Sequence, residues 1–473
     1  MRFGYPENLP ESTVQLNERK SLPPTSAGQR VAFCAVPYGL GLLLLINTKP
    51  LWLDEVIQLS AASSAAWQQL LHRVAANSGS APLGYVPEWI LISAFGPHVW
   101  AARLPSVLAG AGAMAVFVRL CGRFVSRTST LALASALWIV CPLLLRYSLE
   151  ARPYMQGVLF AMLAVLAQFH LAERTSLKWA LLLGAFLVAA VYSQPFALFA
   201  PLGFAAWTVW QRRNRQYSLL TFAAFLVALV SFLPWYLWAR PAWPTAIAHT
   251  HGSFHLAPSV FVALFRESVG DGYPAAISAL ALAAWGLWAF LSRARQDWTM
   301  ALVAAVIAPV VLAFATDAQF NYFFAIRQVI YMVPFLLILM AEGATRLWDS
   351  GSLRAASALL LAVFLGASIL KNYRHLSDRS EDWQRLSSAL VQRARGGCIL
   401  LVSKDELGLY TVFEPGISRS LCDSDLSRRV VMPMLPSSTP EEDRVAREIL
   451  ARKGMSRLST ERVGFANIEI FAR

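Results

Sequence analysis

The feature that most constrains this chain is a series of eleven apolar runs, each close to the length of a membrane-crossing helix and separated by charged or proline-containing connections. They cover roughly residues 31–48, 99–119, 128–146, 153–172, 177–194, 195–211, 217–239, 274–292, 298–316, 328–346 and 354–371. About 20 apolar residues in a helix cross the hydrocarbon of a bilayer. Composition agrees, since 56% of the 473 residues are hydrophobic and 15% charged, against about 45–50% and about 25% in an ordinary soluble domain. The fold class this predicts is an all-α polytopic membrane protein. One further apolar stretch, Pro82 to Gly96, is short and contains Pro87 and Glu88. It suits an interfacial or re-entrant helix better than a span.

The charges predict an orientation. With eleven spans and the N-terminus inside, the even-numbered connections hold Arg119, Arg123 and Arg127, then Arg174 and Lys178, then Arg212, Arg213 and Arg215, then Arg293 and Arg295, then Arg346 and Arg354. This obeys the positive-inside rule at every step. If Pro82 to Gly96 also crossed, every later cluster would face outward. The net charge of +13 is therefore expected to meet anionic headgroups on the cytoplasmic side, and nucleic acid is not an expected partner. The chain contains no Walker lysine motif, GxGxxG fingerprint, CxxC pair or HExxH helix. Nucleotide-driven pumping, dinucleotide redox chemistry and zinc protease chemistry thus lack their usual signatures.

Residues 1–30 read as a cytoplasmic tail leading into a retained helix, not a cleaved signal. Residues 31–371 read as the transmembrane domain, with large outer loops at about 49–98 and 240–273. Residues 372–473 are expected to form a small extracytoplasmic α/β domain, with strands at Cys398 to Val402, Arg429 to Met432 and Ile468 to Phe471. Cys398 and Cys422 both fall in it, which leaves a disulfide between them open.

Ionisable groups bordering the hydrocarbon are candidates for function, and here they gather on the predicted outer side. Asp54 and Glu55 follow the first span in Leu51-Trp52-Leu53-Asp54-Glu55. They either end a helix at the interface beside Trp52 or supply a general base. Val56 to Arg73 reads as one amphipathic helix on the membrane surface, with Ile57, Trp67, Leu70 and Leu71 as its apolar contacts. Arg103, near the outer end of the second span, either snorkels to the interface or serves the site. The run Arg146-Tyr147-Ser148-Leu149-Glu150-Ala151-Arg152-Pro153-Tyr154 sets two arginines, a carboxylate and two phenols between apolar helices. Such a group can bind a phosphate or fix a catalytic carboxylate. The loop after the seventh span carries Arg240, His249, His251, His255, Arg266, Glu267 and Asp271. Its histidines match no standard metal spacing, and a substrate loop is the preferred reading. Arg327 opens the tenth span, as an interfacial anchor or as an anion ligand.

Taken in order, Leu53-Asp54-Glu55, Pro82-Leu83-Gly84-Tyr85, Arg103-Leu104-Pro105-Ser106, the Tyr147 to Tyr154 run and the Arg327-led span with Pro334 resemble the GT-C membrane glycosyltransferases. The likeness is to the protein O-mannosyltransferase-like group, glycosyltransferase family 39, over about residues 31–395. It includes Glu381-Asp382-Trp383, similar to the segment entering the C-terminal domain of bacterial relatives. The resemblance implies inverting transfer of a hexosyl or pentosyl group from a polyprenyl-phosphate-sugar donor to a hydroxyl on the outer face of the cell membrane. The acceptor, whether protein, lipid or polysaccharide, stays open. No cofactor is required under this reading, and a divalent metal is not supported. Asp54 corresponds to the family's first-loop catalytic acid, with Glu55 beside it, and Arg103 to the arginine at the start of the second span. Glu150, Arg152 and Tyr154 correspond to the second outer motif, and Arg327 to the arginine near the lipid phosphate. Relatives carry His-Pro-Pro-Leu-Tyr-Tyr where this chain has Ser80-Ala81-Pro82-Leu83-Gly84-Tyr85, so its donor or acceptor is expected to differ.

A lipid phosphate that leaves needs cations, which Arg152 and Arg327 could supply, and the acceptor hydroxyl needs a base, which Asp54 could be. Two other classes compete. A secondary transporter or flippase would show internal repeats and polar residues near the bilayer midplane, whereas a lipid-linked sugar-binding scaffold would keep the arginines without needing Asp54.

Overall fold

The computed structural model describes residues 27–77, 79–243, 266, 272–292, 296–320, 326–402, 407–422, 428–435 and 440–473. All eleven apolar runs are helical. In chain order the helices up to residue 243 are α1 (Ala27–Leu45), α2 (Leu53–Ala62), α3 (Trp67–Ala76), α4 (Val86–Phe95), α5 (Val99–Phe124), α6 (Thr128–Val140), α7 (Pro142–Ser148), α8 (Tyr154–Glu173), α9 (Leu177–Ser193), α10 (Phe199–Arg212) and α11 (Arg215–Ala239). After it come α12 (Tyr273–Leu291), α13 (Gln296–Phe320), α14 (Val333–Asp349) and α15 (Arg354–Ser377).

Among the described residues, eight helices are long and apolar enough to cross a membrane, or nine if the α6–α7 pair is one span. The expected eleven therefore divide unevenly. The third run bends by 59° between α6 and α7, because Pro142 removes a backbone donor and drives Cys141 into an extended conformation (φ −61°, ψ 118°). The fifth and sixth runs become helices of 17 and 14 residues, parted at Gln194-Pro195, and both fall short of the spanning length.

Small residues let the long helices approach closely. A Cβ on Gly286 of α12 would collide with the carbonyl of Leu339 in α14, and one on Gly343 with the carbonyl of Leu282. A Cβ on Gly203 of α10 would strike the Ala304 carbonyl of α13. Where lipid gives no hydrophobic drive between helices, such close backbone contact is a main source of packing energy. α14 is the most enclosed of these helices, with nearly every residue from Val333 to Ala344 buried.

The short helices α2, α3 and α4 cap one end of this bundle. The single amphipathic helix expected over Val56 to Arg73 is interrupted at Ser63–Ala66. There Ser63 Oγ and Ser64 Oγ donate to the carbonyls of Leu59 and Ala61, at 2.7 Å each, and such bonds compete with helix continuation. Of the expected contacts, Leu70 is fully buried while Trp67 remains 44% exposed. Pro82 to Gly96 folds as a 3₁₀ turn followed by the ten-residue α4, too short to cross. Gly96 ends it at φ +86°, a conformation that favours glycine.

The C-terminal sheet region follows α15, which continues past residue 372 to Ser377. It contains α16 (Trp383–Arg393), α17 (Leu407–Thr411), α18 (Pro440–Arg452) and strands β1 (Cys398–Ile399), β2 (Arg429–Met434), β3 (Ser456–Val463) and β4 (Ala466–Ala472). The sheet order is β1-β2-β4-β3, with β1 and β2 parallel and the other pairs antiparallel. Cys398 and Cys422 form a disulfide. The strand that sequence pattern does not reveal is β3. It is an edge strand, exposed along seven of its eight residues, so it carries no apolar alternation and is defined by pairing with β4 through a tight turn at Gly464 (φ +59°).

Candidate active site

The connection from α1 to α2 delivers Asp54 and Glu55 to the first turn of α2, where carboxylates are favoured by the helix dipole. Their environments then diverge. Glu55 is fully buried and gripped by Arg103, whose Nε and Nη2 donate to its two carboxylate oxygens at 2.8 Å each. The amide of Ala151 donates to Oε1 at 2.8 Å and that of Trp52 to Oε2 at 3.3 Å. Arg103 also donates to the carbonyls of Ile46, Lys49 and Pro50 at 2.8–3.1 Å. It does not snorkel. With 2% of its side chain exposed, it points inward and fixes the connection that carries the acidic pair.

Asp54 turns the other way. Its Oδ2 lies 3.3 Å from Nη1 of Arg327 and 3.7 Å from Nη2 of Arg152, and the side chain is 22% exposed. Arg152 reaches the site from the linker between α7 and α8, and its Nη1 donates weakly to the Asp54 carbonyl at 3.4 Å. Its guanidinium also rests over the Tyr154 ring, 5.8 Å from the centroid. Tyr154 in turn meets Tyr147 edge-on at 4.7 Å. Arg327 comes from the 3₁₀ turn Ile326–Met332 that leads into α14. Three chain segments, distant in sequence, thus bring one carboxylate and two guanidiniums together.

Glu150 belongs to a neighbouring layer. It is buried, accepts from Arg146 Nε at 2.7 Å and lies 3.8 Å from His375 Nε2. Burial pushes its carboxyl above the usual carboxylate range, opposed by the Arg146 cation. Arg146 is stacked over Trp52 at 5.2 Å. Lys49 completes this layer and is not singled out by sequence reasoning. Burial pulls its ammonium below its usual value, while Glu150 and Glu55 pull it upward. The only signal for it was a lysine directly after the first span.

Arg240 is exposed, in the 3₁₀ turn Arg240–Ala242, and Arg266 is half-buried. His249, His251, His255 and Glu267 lie outside the described residues. Among the described residues no three His, Cys, Asp or Glu side chains cluster as metal ligands. A cleft of about 790 Å³ lined by Leu202, Trp207, Trp210, Ile307 and Val311 is apolar, so it offers nothing to ionic chemistry.

Behind Arg152, Glu88 of α4 is buried and accepts from Gln58 Nε2 at 2.7 Å, while its Oε1 has no hydrogen-bond partner. Burial pushes this carboxyl well above its usual range, against the Gln58 bond. The folded chain therefore holds a proton that the unfolded chain releases. The resulting stability is fully present below the ordinary carboxylate pKa and is lost as pH rises toward and through the raised value. Glu88→Gln is expected to raise the Tm at neutral pH and to flatten its decline between about pH 4 and 8. Thermal unfolding across that range checks this, and an unaltered pH dependence would place the buried charge elsewhere.

Bundle, capping helices and terminal sheet region together make a fold like that of the GT-C membrane glycosyltransferases. Residues 80–238 match the sequence model of a family described as dolichyl-phosphate-mannose-protein mannosyltransferase, a stretch that includes Arg103 and the Arg146 to Tyr154 motif but not Asp54 or Arg327. ArnT from Cupriavidus metallidurans in the apo state superposes with a TM-score of 0.62 at 12% identity, over 94% of this chain and 98% of that one. The same protein bound to undecaprenyl phosphate gives 0.61 at 13%, with the same coverage. The arabinofuranosyltransferase AftD from Mycobacteria gives 0.56 at 15%, over 93% of this chain and 40% of that one. No curated protein sequence matches. At these identities the likeness is one of fold.

Proposed function

We propose that this protein transfers a sugar, with inversion, from a polyprenyl-phosphate carrier to an acceptor hydroxyl on the outer face of the cell membrane. The observation that carries the reading is the Asp54 carboxylate held 3.3 and 3.7 Å from the guanidiniums of Arg327 and Arg152. Without substrate, the cations and the base neutralise one another. A donor phosphate gives the two arginines a second anion, and Asp54 is then available to take the proton of the acceptor hydroxyl. The acceptor oxygen bonds to the anomeric carbon as the bond to the phosphate oxygen breaks. The leaving phosphate keeps that electron pair, and Arg152 and Arg327 stabilise its charge.

A relative with this fold binds undecaprenyl phosphate, which supports a lipid-linked donor here. An outward-facing site is supported by the basic residues at the opposite bundle end, among them Arg123 and Arg127, which pair with Glu173 and Asp349. The acceptor is a hydroxyl of protein, lipid or polysaccharide. Mass analysis of the lipid-linked sugar that co-purifies with the protein, followed by transfer assays with that donor, tests the reading. Absence of any transfer from lipid-linked sugars would overturn it.

Arg327→Ala separates phosphate binding from acceptor binding. Charge-assisted hydrogen bonds contribute about 1.5–3 kcal/mol, so the donor KM is expected to rise roughly 10- to 100-fold. A rise confined to the acceptor KM would contradict the role of Arg327.

A further inference from the structure

The helix that carries Asp54 is not held by the transmembrane bundle alone. The first free amide of α2, Leu53 N, donates to Oε2 of Glu381 at 2.8 Å, across 328 residues of chain. The first amides of a helix have no partner inside it, and a carboxylate there meets both the open donor and the positive end of the helix dipole. Glu381 lies two residues before Trp383, at the entrance of the C-terminal domain. Trp383 is buried in a cluster that joins Val56, Leu59 and Ala62 of α2 to Leu386, Tyr410 and Ile417 of that domain. Close approach continues along the helix, since a Cβ on Gly408 would come within 2.9 Å of Ser60 Oγ. The C-terminal domain therefore grips α2 by a polar contact at its first turn and an apolar contact along its length.

We propose that Glu381 is a positioning residue, which fixes the first turn of α2 so that Asp54 meets its arginines in register, and that the C-terminal domain thereby takes part in turnover. The inference rests on the transferase reading in taking Asp54 as the base. Glu381 does not touch substrate under this proposal. It acts one residue away, on the amide preceding Asp54.

The experiment compares Glu381→Ala and Glu381→Gln in the full-length protein, with two readouts. Hydrogen exchange of the Leu53 to Glu55 amides needs no substrate. Exchange is expected to rise in Glu381→Ala and to stay close to wild type in Glu381→Gln, which keeps an acceptor oxygen. Transfer from the co-purifying lipid-linked donor is expected to fall roughly 10- to 100-fold in kcat in Glu381→Ala, the scale of a misplaced catalytic group, with the donor KM unchanged and kcat largely restored in Glu381→Gln. Wild-type kcat in correctly folded Glu381→Ala, or exchange at Leu53 that does not respond, overturns the proposal. So does a loss of kcat that Glu381→Gln fails to restore. If the exchange responds as expected while the wild-type protein transfers no lipid-linked sugar, the grip on α2 stands and the assigned reaction, with the role in turnover, falls.

Discussion

Asp54→Asn is expected to leave the protein folded and to reduce sugar transfer by about 10²–10⁴-fold, the range over which a general base contributes. The side chain is isosteric and partly exposed, and its Oδ2 accepts no hydrogen bond, only the two ion pairs. Packing is thus unaffected by the exchange of oxygen for nitrogen. What changes is the proton acceptor. The amide cannot take the hydroxyl proton, while Arg152 and Arg327 lose their resting counter-charge and stay ready for phosphate. The signature is a fall in kcat with a donor KM that holds or decreases. Turnover measured with the lipid-linked donor decides it, and wild-type kcat in this variant would remove Asp54 from the chemistry.

Arg103→Ala is expected to fail in a different way, by destabilising the protein. Removing one partner of a buried ion pair leaves an uncompensated charge and costs about 3–5 kcal/mol. Here Glu55 would lose both guanidinium contacts, and the carbonyls of Ile46, Lys49 and Pro50 would lose their donor. The connection carrying Asp54 would then be free to move. The measurement is thermal or denaturant unfolding in detergent, with activity expressed per folded molecule. The Glu55→Gln, Arg103→Met double variant is expected to recover part of the loss, because it buries no unpaired charge. Unfolding of Arg103→Ala at the wild-type midpoint would show that the pair does not hold the site.

The two neighbouring carboxylates show how far sequence reaches. Asp54 and Glu55 stand side by side after the first span, and nothing in their spacing tells which is enclosed and which faces the arginines. Packing separates them. One turn of α2 sends Glu55 inward onto Arg103 and Ala151 N, and leaves Asp54 toward Arg152 and Arg327. Arg103 has the same ambiguity in sequence, where interfacial anchor and site residue look alike, and its enclosed bidentate pair resolves it. Glu381 gives no sequence signal of its own role, because its partner is a backbone amide 328 positions away.

The sequence by itself determined the membrane class, the eleven helical runs, the exclusion of Pro82 to Gly96 as a span and three of the four strands. Each of these rests on local properties, namely the length of an apolar run and the breaking effect of proline. Tertiary structure decided the rest: which runs reach spanning length, the bend at Pro142, the edge strand β3, and the different surroundings of Asp54 and Glu55. Those outcomes depend on contacts between segments far apart in the chain. A charge acquires its role from what is buried against it, and the linear order of residues does not contain that information in readable form.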